Sequence, residues 1–139
     1  MNVHTMAACS QAATFPFDQY AKYSTRDAMP IFISRGGFTS DAIKGMLAKP
    51  ENREEAVAKL FQSVGGKLIA WYLTFGHHDW LAIGEFPDQK AAASAVLAAA
   101  GGGSLSDVET TIAMTAKEAF ATFESAAKAA KAFRSAGRP

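Results

Sequence analysis

The sequence predicts an α+β domain of the ferredoxin-like kind, a βαββαβ sandwich with an additional C-terminal helix, that pairs with a second copy as a dimeric α+β barrel. Two observations carry this. Strand and helix signals follow the order strand, helix, strand, strand, helix, strand, helix, which is the split βαβ arrangement. The second strand, 67–75, is apolar along both alternating faces, with Leu68, Ala70 and Tyr72 on one and Ile69, Trp71, Leu73 and Phe75 on the other. A strand with water on one side does not read this way, and a sheet with helices on one face has nothing of its own to cover the second. Two sheets packed face to face supply the cover, each large apolar side chain buried there contributing about 1.5 to 3 kcal/mol.

The elements are justified in turn. Residues 1–28 show neither helical nor strand period, and Phe15-Pro16-Phe17 reads as extended chain, so they form a poorly ordered extension. An arm whose Phe15, Phe17, Tyr20 and Tyr23 dock on a neighbouring subunit is the other reading. The domain proper spans 29–136. Its first strand, 30–34, is β-branched and aromatic and ends at the turn-forming Gly36-Gly37. Thr39, Ser40 and Asp41 offer N-cap oxygens ahead of Ile43, Met46 and Leu47. Pro50 interrupts that helix; the period resumes at Arg53 and closes at Gly65-Gly66.

Gly76-His77-His78-Asp79 turns the second strand into a third over 80–86. Asp88 precedes an alanine-rich helix over 89–100, Gly101-Gly102-Gly103 ends it, and 108–112 is a fourth, β-branched strand. Thr115 and Glu118 match a capping box that starts the last helix. That helix carries Phe120, Phe123, Ala127 and Ala130 as its apolar stripe. Lys117, Lys128, Lys131 and Arg134 form a solvated basic face.

A length of 139 residues fits one core. With 49% apolar and 19% charged residues the chain is too apolar to be disordered. A net charge of +1 gives no broad field to draw in nucleic acid or an anionic membrane, so neither is an expected partner. Cys9 is the single cysteine, which excludes an internal disulfide and a thiolate-pair metal site. No apolar run approaches the ~20 residues of a membrane span. The opening residues lack the positive and apolar regions of a signal peptide, and the expected compartment is cytoplasmic.

From Met29 to about Glu118 the chain resembles the GYD domain family of small bacterial proteins. The resemblance rests on Met29-Pro30, Gly45, Arg53 with Glu55-Ala56-Val57, Gly65-Gly66-Lys67-Leu68, Phe75-Gly76, Asp79, Pro87-Asp88 and Thr110-Thr111. Most specific is a Gly-Gly-Lys-Leu strand start followed by a Gly-x-x-Asp hairpin turn. Where the family motif has tyrosine before aspartate this chain has His78, so nothing tied to that tyrosine's hydroxyl carries over. The resemblance implies kinship with dimeric α+β barrels, a group holding cofactor-independent oxygenases, isomerases, haem enzymes and plain binding modules, and so selects no chemistry. It also points to Met29 as the functional start.

His77, His78 and Asp79 are the one cluster of acid-base or metal-capable side chains. Alternation along an extended strand lets His77 and Asp79 converge while His78 points away. Asp79 then either caps the turn by accepting backbone hydrogen bonds or orients an imidazole for proton transfer or ligand binding. No metal and no cofactor is expected. Trp71, Tyr72 and Trp80 flank the turn, as core and interface residues or as walls for an aromatic ligand together with Asp79. The leading expectation is a homo-oligomeric small-molecule-binding module with a mostly apolar pocket beside the 76–80 turn. One alternative is a cofactor-independent dimeric-barrel enzyme of oxygenase or isomerase type, with a histidine general base; another is a structural assembly unit.

Overall fold

The computed structural model describes residues 29–134, 136 and 137; the readings of 1–28, and of Cys9 within them, lie outside these. The order is β1 (Ile31–Phe38), α1 (Ser40–Ala48), α2 (Arg53–Ser63), β2 (Lys67–Leu73), β3 (Trp80–Glu85), α3 (Gln89–Gly101), β4 (Leu105–Ala113) and α4 (Ala116–Ala132). The four strands form one antiparallel sheet in the order β2-β3-β1-β4. This is the ferredoxin-like arrangement.

Local chemistry sets the boundaries. Thr39, Asn52, Asp88 and Thr115 each cap the helix that follows by accepting a backbone amide, and Thr115 with Glu118 closes a full capping box. Gly65 exits α2 with φ of 78°, where a side chain would be strained. β1 departs from expectation: it does not turn at Gly36-Gly37 but runs through both to Phe38, with a bulge against β4 between Arg35 and Gly37. The glycines are there for space, since a Cβ on Gly36 would come within 2.9 Å of the Trp80 ring and of the Ser106 carbonyl oxygen.

Cross-strand partners share a face, so the registers sort the sheet. Phe32, Ser34 and Gly36 of β1 pair with Gly84, Ala82 and Trp80 of β3 on the face covered by α2 and α3. The core gathers there. Phe61 and Phe86 meet at 4.7 Å between ring centroids, Phe86 and Phe32 at 5.8 Å edge to face, and Ala92 and Ala95 of α3 are buried against them.

The opposite face carries three cross-strand rows. Tyr72, Leu81, Arg35 and Glu109 form one; Ala70, Ile83, Ile33 and Thr111 the next; Lys67, Glu85, Ile31 and Ala113 the third. Its centre is aliphatic. β2 is split differently from a simple alternation, because the register shifts between Leu68 and Ala70. Leu68 and Trp71 therefore share the helix-covered face, while Ala70 and Tyr72 lie on the other. α4 buries none of its residues: Phe120 is 57% and Phe123 74% exposed.

Candidate functional site

Between the covered face of the sheet and helices α2 and α3 lies a cavity of about 160 Å³. Trp71 and Trp80 stand on its strand side, Val57 and Leu60 of α2 and Val96 and Ala99 of α3 close it from the helices, and Phe38 and Leu105 reach it from the strand ends. It exists because small residues face large ones: Ala82 and Ser34 at the sheet centre leave space that the Trp80 ring does not fill.

The polar groups on this lining are mostly spent within the protein. The Ser34 and Thr110 hydroxyls hydrogen-bond each other at 2.9 Å, and the Trp80 indole N–H donates to the Gly37 carbonyl at 3.2 Å. Among the described residues, Arg53 is the one charged side chain on the lining; its guanidinium donates to the Glu51 carboxylate. A mostly apolar, aromatic-walled space of this size matches a single ring, since a cavity of roughly 150 Å³ holds benzene.

The turn residues divide between two places. Asp79 is committed to the backbone: its Oδ2 accepts the Phe38 amide at 2.8 Å, its own N–H donates to the Gly36 carbonyl at 2.9 Å, and its carbonyl accepts the Thr74 amide at 2.8 Å. His78 has little exposed side chain, and its Nε2 stands 3.8 Å from Glu109 Oε2. Arg35 donates to that same Glu109 oxygen at 2.9 Å. Hydrogen bond and charge from Arg35 hold the Glu109 carboxyl below its ordinary value of 4.5. His77 is exposed and meets His78 edge to face at 4.7 Å.

Of the residues singled out in the sequence, Trp71 and Trp80 come together on the cavity. Tyr72 stands on the opposite face, 57% exposed, and among the described residues no imidazole lines the cavity. The carboxylate beside the imidazole is Glu109, not Asp79, whose acceptor oxygen is taken by Phe38. Glu109 and Arg35 escaped the sequence reading, and Arg53 entered it as a helix-start and family residue without a place at the site. Arg35 and Glu109 are 74 residues apart and meet through β1–β4 pairing, for which a single sequence holds no local signal. Among the described residues no group of three or more His, Cys, Asp or Glu converges to hold a metal ion, and no helix is long and apolar enough to cross a membrane.

The sequence model of the GYD domain matches residues 32–123, well over half of the chain. No curated protein matches it.

Proposed function

The chain belongs to the GYD domain family, and we propose that it works as a self-associating module that binds a small, largely apolar ring compound in the cavity between the sheet and α2 and α3. The observation that carries this is the cavity itself: about 160 Å³, walled by Trp71, Trp80, Val57 and Leu60 and continuous with the buried core at Phe61, Ala82 and Ala95. Self-association draws support from the aliphatic rows on the second sheet face and from the bare stripe of α4. A second copy of the chain is the partner that offers matching surfaces.

The two tryptophans of the sequence both line the cavity, so their fluorescence reports its occupancy. Titration with phenol and with toluene should change that emission saturably. Ala99→Phe, which projects a ring into the cavity from a half-buried helix position, should abolish the change while leaving the fold intact. A response unaltered by Ala99→Phe would remove the cavity from the reading.

A second reading, a cofactor-independent enzyme with a histidine base, is favoured by one feature: the His78 imidazole lies between His77 and the Glu109–Arg35 pair. This group sits on the outer sheet face. The reading therefore requires a second copy to enclose it, with His78 as base and Glu109 as the orienting carboxylate.

A further inference from the structure

We infer that the ring compound bound by this cavity carries a carboxylate, and that Arg53 selects it; the inference rests on the binding-module reading above. The cavity is not closed on itself. It shares Phe38, Arg53 and Ser104 with a larger, mixed polar cleft of about 610 Å³ that runs out along α1 past Lys49 and Gly102-Gly103. Arg53 thus stands at the junction of an apolar inner space and a wet outer one, with 29% of its side chain exposed.

The chemistry of the two compartments differs in a way that specifies the ligand. Inside, the hydroxyl of Ser34 and the indole of Trp80 have already found partners, so a polar group deep in the cavity loses its hydration without compensation. At the junction, the guanidinium offers a planar fork of donors suited to a carboxylate. Its present partner is such a group: Glu51, on the short turn before α2 and 52% exposed, takes the place a ligand carboxylate would occupy. Glu51 can swing into water when displaced, because half of its side chain already faces solvent. Lys49 lines the outer cleft beside this pair; the acidic groups facing it are Glu51 and Asp41, the latter engaged by Lys44 at 3.6 Å. The ligand class is therefore a single aromatic ring bearing a carboxylate on a short arm, ring inward and carboxylate on Arg53.

Phenylacetate and phenylacetamide have nearly the same shape and differ in charge, so comparing their affinities for the full chain by tryptophan fluorescence isolates the role of Arg53. Phenylacetate should bind on the order of tenfold more tightly, the scale of one charge-assisted hydrogen bond. Arg53→Gln should erase the difference while retaining the amide. Glu51→Gln, which removes the competing carboxylate and leaves the fold untouched, should strengthen phenylacetate binding alone and serves if Arg53→Gln does not fold. Equal affinities in the native chain, unchanged by Glu51→Gln, would overturn the assignment of Arg53 and leave the apolar cavity standing. Failure of both compounds and of neutral rings to bind would remove the binding-module reading as well.

Discussion

The Asp79 carboxylate accepts the Phe38 backbone amide at 2.8 Å, 41 residues away in sequence, and so fastens the turn between β2 and β3 to the end of β1. The Asp79 amide returns a bond to Gly36, and the Trp80 indole adds one to Gly37. Three consecutive residues of β1, its two glycines and Phe38, are therefore held from a neighbouring turn. Asp79→Ala leaves a part-buried N–H without its acceptor, which costs about 1 to 3 kcal/mol. Asp79→Asn keeps an acceptor oxygen and should lose less. Chemical denaturation of both variants checks this; equal loss, or none, would mean that Asp79 is not the fastener.

Glycines separate by what surrounds them. A Cβ at Gly84 would meet the Phe61 ring at 2.5 Å and the Lys67 carbonyl at 3.2 Å, so Gly84→Ala should destabilise by about 1 to 3 kcal/mol through overpacking. Gly45, inside α1, has nothing within 4 Å of an added Cβ. There Gly→Ala reduces the freedom of the unfolded chain and should stabilise by up to about 1 kcal/mol. Denaturation midpoints of opposite sign are the expected outcome; a stabilised Gly84→Ala would contradict the close packing of Phe61 on β3.

Much of the fold was legible because its signals are local. The Thr115 and Glu118 capping box, Asp88 before α3 and the positive φ of Gly65 follow from neighbouring residues, and each stands where the sequence puts it. The misplaced features depend on strands far apart in sequence. Gly36-Gly37 reads as a turn until the Trp80 ring and the Ser106 backbone are laid against it. Leu68 reads as a face-mate of Tyr72 until the register shift beside Ile69 moves it to the face of Trp71. At the candidate site the tryptophans were found through their size and position beside the turn. Glu109 was missed because its nearness to His78 is a product of β1–β4 pairing.

The Arg35–Glu109 pair predicts a pH response. Arg35, by hydrogen bond first and by charge second, lowers the folded Glu109 below 4.5, with lesser help from the charges of His78 and His77. A depressed carboxyl contributes stability that is present above the unfolded value and lost as pH falls through the folded one. Both side chains are about half exposed, so the contribution is small and is best read at the site itself. By carboxyl NMR, Glu109 should titrate below 4.5 in the native chain and move up toward it in Arg35→Met. A midpoint that does not move would exclude Arg35 as the cause.

Leu81 sits half-buried on the outer face, between Tyr72 and Arg35 in the cross-strand row nearest the β2–β3 turn. In a lone copy an arginine there reaches water by extending along the sheet, at little cost to the fold. Against the sheet of a second copy it is a buried charge without a partner. Leu81→Arg should therefore leave the far-ultraviolet spectrum unchanged and shift sedimentation to the monomer. Native protein that sediments as a monomer at all concentrations would end the pairing proposal.

The stripe of α4 supplies an independent test of self-association. Phe120 and Phe123 are 57% and 74% exposed, so a lone copy gains little from either ring. Serine and phenylalanine also have similar helix propensities. The double variant Phe120→Ser, Phe123→Ser should keep the Thr115 cap, the helix content and the denaturation midpoint of the dilute monomer. If a second copy covers the stripe, each lost ring removes on the order of 1.5 to 3 kcal/mol of buried apolar contact, and the dissociation constant should rise by at least tenfold. Sedimentation across a dilution series reads that constant directly. An unchanged constant in a chain that does associate would confine the interface to the sheet face and leave α4 outside it.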